Sequence, residues 1–229
     1  NKIPANGAVV KTIVTTTLAD RIAQNFGVKV FNVLTGFKFI GEKIKEWERT
    51  GEYEFIFGYE ESYGYLRGIH ARDKDAVVAS MLTAEMVCYY ESKGKGLYQR
   101  LMEIFQKYGY YSEEVTSIAY KGVSAMEEMA EAMARMRTKT IKSLSGYEVE
   151  FTSDYLKRIT AYPDGRTEEI TLPKTDAIKY CLKDGQFVCI RPSGTEPKLK
   201  VYVLCYDADV ESSKEKARDL LKAIKKELQ

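Results

Sequence analysis

Apolar residues in the first hundred positions fall into short β-branched runs that alternate with helical stripes. Val9 to Thr15, VVKTIVT, reads as a strand. Leu18, Ile22 and Phe26 recur four apart, which predicts one apolar helical stripe ending at Gly27. Val28 to Val33 is a second strand, and the β-α-β order predicts parallel pairing through a right-handed crossover. Phe37, Ile40, Ile44 and Trp47 mark another amphipathic helix, closed near Gly51. A strand at Glu54 to Phe57 is followed by a polar, glycine-bearing loop, GYEESYGYLRG. A long helix is expected from near Asp75, with Val78, Leu82, Met86 and Tyr89 on one face and an exit at Ser92 to Gly96. Leu97 to Tyr108 is a further helix, stopped by Gly109.

The pattern changes after about residue 110. YGYYSEEVTSIAYKG reads as a polar, extended connector with one strand in it. Ala125 to Arg137 is helical, with Met126, Met129, Met133 and Met136 forming a stripe that packing into a core explains. Short strands with turn signals follow: Glu148 to Phe151, Tyr155 to Tyr162, a PDG turn at Pro163 to Gly165, and Arg166 to Thr171. Ala177 to Leu182, Phe187 to Arg191 and Leu199 to Tyr206 complete the set. A terminal helix closes the chain with Ala217, Leu220, Leu221, Ile224 and Leu228 inward. The fold class expected is an α/β three-layer domain with a mixed sheet over residues 1–118, then a smaller α+β domain with an antiparallel sheet and packed helices over 119–229. No internal repeat or low-complexity segment interrupts them.

Composition narrows the function. With 35 Lys and Arg against 33 Asp and Glu in 229 residues, the chain is no strongly basic nucleic-acid binder. A hydrophobic share of 45% supports a real core and excludes intrinsic disorder. The one histidine, His70, cannot build a multi-histidine metal site. Cys88, Cys181, Cys189 and Cys205 form no CxxC pair, and their apolar surroundings read as reduced core thiols in a cytoplasmic protein. No apolar stretch reaches the roughly 18–20 residues that span a bilayer, so no membrane partner is expected. The chain begins at Asn1 without Met or a signal-like start, so it reads as a processed chain or an excised piece.

Three stretches could carry chemistry. Arg191 to Lys198, RPSGTEPK, lies between two apolar strands. Arg191 offers a planar fork of donors for phosphate oxygens, Ser193 and Thr195 add hydroxyls, and Gly194 lets successive N–H groups face one point. The same residues also suit an ordinary solvated hairpin. In GYEESYG, Glu60 and Ser62 are two apart, so in an extended segment both side chains share one side, where a carboxylate can accept from vicinal sugar hydroxyls. An acidic surface loop is the plainer reading. In HARDKD, Asp73 or Asp75 is a plausible helix N-cap, while Arg72 and Lys74 would support an anion there. Lys38, in TGFKFI, is a further cation with an ordinary helix surface as its alternative.

In this order, TGFKFIGEKI, FGYEESYGYL with RDKDA, and RPSGTEPKLKVYV resemble the α-D-phosphohexomutase family, the phosphoglucomutases and phosphomannomutases, over nearly the whole chain. The GYEESYGY loop is most similar to a phosphoglucomutase and phosphopentomutase-like branch. Many members carry Gly after the loop serine where this chain has Tyr63, which leaves glucose, mannose and pentose phosphates all open. The resemblance covers the third and fourth of the family's four domains. It implies phosphoserine-mediated transfer between the 1- and 6-positions of a sugar phosphate, with Mg²⁺ and a sugar bisphosphate activator serving the full-length parent and neither held by this piece. Neither a phosphoserine loop nor an Asp-rich metal loop occurs in the 229 residues, so no catalytic or metal residue is assigned and the piece is expected to be inactive alone. Implied roles are sugar-hydroxyl binding by Glu60 and Ser62, phosphate binding by Arg191, Ser193, Gly194 and Thr195, and cleft cations at Lys38, Arg72 and Lys74. The implied partners are a phosphosugar and the N-terminal domains of the same polypeptide. A stand-alone phosphosugar-binding or regulatory module, or a phosphopentomutase parent, fits the same residues.

Overall fold

The computed structural model describes residues 3–228. It falls into two compact units that divide between Gly109 and Tyr110. The first unit runs β1 (Gly7–Thr12), α1 (Leu18–Asn25), β2 (Lys29–Val33), α2 (Phe37–Thr50), β3 (Glu54–Glu60), β4 (Gly64–Arg67), α3 (Ala76–Glu91) and α4 (Leu97–Tyr108). Its sheet has the order β2-β1-β3-β4, with β1 parallel to β2 and β3, and β4 antiparallel to β3. Parallel pairing brings the carboxyl ends of β1, β2 and β3 to one edge, from which α1 and α2 depart.

Strand alternation sorts the core. Ala8 and Val10 face α2 and join Val33, Ile40, Ile44, Trp47, Phe55 and Leu66 in a buried cluster. Val9 faces the other way, with Ile22 and Ala23 of α1, and there a shallow apolar groove of about 330 Å³ is left. Phe26, expected on the inner stripe of α1, follows that helix and is exposed. The expected strand over residues 9–15 ends at Thr12, and Ile13 to Thr15 turn away from the sheet.

The expected loop after Phe57 is instead a hairpin: β3 continues to Glu60 and β4 returns from Gly64. Glycine and polar residues hid it, because one side of this short pair faces solvent. The long helix α3 also departs from expectation. It has no fully buried residue, and Met86 and Tyr89 of its predicted inner face are exposed.

The second unit runs β5 (Tyr110–Ala119), α5 (Ala125–Thr138), β6 (Ser143–Leu144), β7 (Tyr147–Asp154), β8 (Ile159–Ala161), β9 (Thr167–Glu169), β10 (Ile178–Leu182), β11 (Phe187–Pro192), β12 (Lys198–Asp207) and α6 (Val210–Leu228). Its eight-stranded sheet follows β5-β12-β11-β10-β7-β8-β9, with β6 on β7, and every pairing is antiparallel. Met129, Met133 and Met136 of α5 and Ala217, Leu220, Ile224 and Leu228 of α6 pack on one face, against Val188, Ile190, Leu199, Val201 and Val203. Met126 is exposed, so the methionine stripe begins one turn later than expected, and Leu221 is only partly buried.

The expected division at 118/119 moves to 109/110. All ten residues of β5 pair with β12, from Tyr110 opposite Asp207 to Ala119 opposite Lys198, so the supposed connector is an edge strand of the second sheet. The second unit is thus the longer of the two rather than the smaller. The expected strand over Tyr155 to Tyr162 is broken at its start. The Asp154 carboxylate accepts from the Leu156 and Lys157 amides, and Arg158 takes a φ of 59°, so the chain turns before β8. No disulfide links the four cysteines. Cys181, Cys189 and Cys205 are buried, whereas Cys88, on α3, is exposed.

Candidate functional site

In the first unit, the carboxyl edge of the sheet gathers a row of buried polar residues: Lys11, Thr12, Thr15 and Glu60. Ligands of open α/β sheets favour this edge. Lys11 is 2% exposed, and its ammonium lies 3.1 Å from Asp20 Oδ2 and donates to the Thr15 carbonyl at 3.3 Å. The Thr12 hydroxyl donates to Glu61 Oε2 at 3.0 Å and meets the Thr15 hydroxyl at 2.7 Å. Of this cluster Glu60 was singled out from the sequence and Lys11, Thr12 and Thr15 were not, although a Lys-Thr pair inside a β-branched run, followed by three threonines, is their signal.

Glu60 ends β3 as a buried carboxylate, and Gly64, paired with it across the hairpin, leaves it room. A β-carbon at Gly64 would stand 2.7 Å from Glu60 Oε1 and 2.8 Å from its Cγ. Ser62 sits in the turn and is exposed. Glu60 and Ser62 therefore do not share one side of an extended segment, because the chain reverses directly after Glu60. Glu61, Ser62 and Tyr63 form a three-residue hairpin loop, a type whose last residue commonly adopts the left-handed conformation. Tyr63 does so, with a φ of 62°, and the residue is 86% exposed. A glycine after the loop serine would meet this conformation without a Cβ penalty, whereas Tyr63 holds it at some strain. Tyr63→Gly is expected to stabilise the chain by up to about 1 kcal/mol in denaturant unfolding. A destabilised variant would contradict the strain argument.

The cations at this end are less available than expected. The Arg72 guanidinium donates to Glu48 and to the Ile69 and Ala71 carbonyls. Lys74 pairs with Asp73 at 3.1 Å. Lys38, the second residue of α2, is exposed, with its ammonium 4.8 Å from the Phe39 ring centre. Asp75 caps α3, accepting from the Val77 and Val78 amides at 2.9 and 3.0 Å, and its other oxygen lies 2.8 Å from His70 Nε2. Those bonds, His70 first and then the Val78 amide, hold the Asp75 carboxyl below its ordinary value of 3.8. A depressed carboxyl contributes its stability above the ordinary value and loses it as pH falls through the lowered one. The Val77 and Val78 amide resonances are therefore expected to lose their capped shifts with a midpoint below pH 3.8. A midpoint above pH 3.8, while the chain remains folded, would contradict this.

In the second unit, the Arg191–Lys198 loop joins β11 to β12, closed by the Ser193 amide donating to the Lys198 carbonyl at 2.8 Å. Arg191 lies on the sheet face opposite α5 and α6. Its Nη2 and Nε donate to the Tyr202 hydroxyl at 3.0 and 3.3 Å, which fixes the plane of the guanidinium. Lys200 stands directly opposite Arg191 in the register, so two cations share that face beside the loop. Like charges at opposed positions repel. Lys198 is neutralised by Glu196 at 3.0 Å, whereas Lys200 enters no ion pair among the described residues. Sequence reasoning missed Lys200 and Tyr202, although the alternation in KLKVY was the available signal. Gly194 and Thr195 are exposed. The chain does bend at 194, but Gly194 has no positive φ and a β-carbon there would meet nothing within 4 Å, so the bend does not itself demand glycine. What glycine does provide at 194 is an unobstructed approach to the backbone.

Among the described residues, no group of three or more His, Cys, Asp or Glu side chains could hold a metal ion. Nor is any described helix long and apolar enough to cross a membrane.

Residues 1–108 match the family model described as phosphoglucomutase/phosphomannomutase, alpha/beta/alpha domain III, and residues 124–224 match that of the phosphoglucomutase/phosphomannomutase C-terminal domain. A phosphoglucomutase of Staphylococcus haemolyticus is 36% identical over 202 residues, covering 88% of this chain and 36% of that protein. One from Staphylococcus saprophyticus is 33% identical over 195 residues, covering 85% and 35%. The chain thus spans about a third of the length of these curated relatives. Among solved structures, the open form of the Paramecium phosphoglucomutase parafusin superposes with a TM-score of 0.64 at 19% identity, over 97% of this chain and 37% of that one. At that identity the likeness establishes shared fold.

Proposed function

Because the chain belongs to the phosphoglucomutase/phosphomannomutase family and carries its domain III and C-terminal domain, we propose that it supplies the substrate-gripping part of a phosphosugar mutase. In this reading Glu60 accepts hydrogen bonds from vicinal sugar hydroxyls and Ser62 donates or accepts beside it. Arg191, Ser193, Thr195 and the backbone at Gly194 hold the phosphate that is not reacting. Lys200 joins them as a second cation. Lys38 retains a charge available to a ligand, while Arg72 and Lys74 serve mainly their own loop through Glu48 and Asp73. The phosphoryl donor and Mg²⁺ of the reaction belong to the longer polypeptide, and these side chains bind and orient the sugar phosphate for it.

The observation that carries the reading is the opposed pair Arg191 and Lys200 next to two loop hydroxyls. A hairpin that needed only to fold would not set two cations side by side with one guanidinium pinned by a tyrosine hydroxyl. An anion between them turns that repulsion into attraction. Lys200→Gln is therefore expected to have effects of opposite sign. It should leave the unliganded chain as stable or slightly more so, and weaken its binding of glucose 1-phosphate and of inorganic phosphate by about tenfold. Unchanged affinity for both ligands would remove the support for the anion site. The parent reading frame separates a mutase piece from a stand-alone binding module. A serine phosphorylation loop and an Asp-rich loop encoded upstream of Asn1 are expected, and an independent start codon there would favour the module.

A further inference from the structure

The most apolar helix of the chain is also one of its least buried. Between Ala76 and Glu91, α3 holds only Glu85 and Glu91 as charged residues, yet it has no fully buried residue. Val78, Leu82 and Tyr90 form a half-buried inner side. The opposite side presents Val77, Met81, Ala84 and Cys88 at helical spacing, all exposed, with Val77 at 79% and Met81 at 61%. A helix that is apolar around its circumference belongs in an interior. A solvent-facing stripe of valine, methionine, alanine and cysteine has the composition of an obligate interface, which resembles a core cut in two.

We infer that this outer stripe of α3 is the docking surface for the polypeptide that precedes domain III in the family-length protein, an inference that rests on the reading of the chain as part of a longer mutase. Two observations point to that occupant. The chain spans only 35–36% of the relatives' length. Its residues 124–224 match the C-terminal domain, and residues 1–108 match a domain numbered third, so the additional length falls ahead of β1. Covalent linkage presents that segment to α3 at high effective concentration, which suits a dry, uncharged surface better than recognition of a diffusing partner does.

Cys88 lies within the stripe and reports on it directly. Cys181, Cys189 and Cys205 are buried, and burial pushes the thiols of Cys181 and Cys205 up to about 11 and about 12, so a maleimide reads Cys88. The experiment compares maleimide labelling at Cys88, located by peptide mass mapping, in the 229-residue chain and in the family-length polypeptide of the same reading frame. Labelling is expected to be slower by at least about tenfold in the longer protein, since a covered thiol reacts only through local opening. Met81→Lys should restore fast labelling there while leaving the melting temperature of the 229-residue chain unchanged. Equal rates in the two proteins would overturn the inference, as would a frame encoding no upstream segment. So would Cys88 protection in the short chain that grows with its concentration, since the occupant would then be a second copy. Loss of phosphosugar binding on Arg191→Ala or Glu60→Ala is a separate readout, so failure of docking and failure of the proposed function are distinguishable.

Discussion

Replacing Arg191 with alanine is expected to weaken glucose 1-phosphate binding by about 100-fold, or about 2.8 kcal/mol, in calorimetric titration. A planar guanidinium that donates in pairs to phosphate oxygens makes shorter and stronger bonds than a neutral donor, and here its plane is set by the Tyr202 hydroxyl. Two companion variants divide the effect. Arg191→Lys keeps the charge but loses the fork, so it should recover only part of the affinity. Tyr202→Phe keeps the guanidinium but frees it to rotate, and its loss should be smaller than that of Arg191→Ala. The folded state is checked by circular dichroism in each case. An Arg191→Ala variant that binds like the parent would remove this residue from the site.

The second large effect is on stability. Lys11→Ala is expected to cost about 3 kcal/mol in denaturant unfolding, because it empties a buried stem and leaves the Thr15 carbonyl without its donor. The Asp20 pairing adds less, since that side chain is 36% exposed and solvent screens it, although the Oδ2 facing Lys11 is itself buried. Lys11→Met fills most of the same volume and should recover more than half of that cost. If methionine recovered nothing, the ammonium contacts rather than packing would hold this edge together. A cost below about 0.5 kcal/mol for Lys11→Ala, as at an ordinary surface position, would contradict the burial.

Which features could be read from the chain follows from how each element meets solvent. Elements with one buried face and one wet face, such as α2 and α6, announce themselves by period. Phe37, Ile40, Ile44 and Trp47 lie where their spacing places them. Strand β5 did not, because it is an edge strand whose residues alternate between half-buried and exposed, so YYSEEVTSIA looks like a polar connector. The α3 stripe misled in the other direction. Its helix is apolar on both sides, and periodicity has no means to say which side a neighbour covers.

The site was legible in a similar measure. The Arg191–Lys198 hairpin and the Glu60 strand end were marked by residue type, because glycine, proline, hydroxyl and charge are improbable together between apolar strands. Lys200, Tyr202 and Lys11 were not, since each occupies a strand position and gains its meaning from a cross-strand or loop neighbour that only pairing reveals. Tyr63 shows the converse. Its departure from the family's glycine left the sugar open, and its positive φ ties that position to the geometry of the turn.

The most direct test of the central claim is a titration of the 229-residue chain with glucose 1-phosphate, followed by backbone amide resonances. The account predicts saturable shifts at Arg191, Ser193, Gly194, Thr195 and Lys200, and at Glu60 and Ser62, with the second-unit group responding to inorganic phosphate alone. Shifts confined to other residues, or none at saturating ligand, would contradict it.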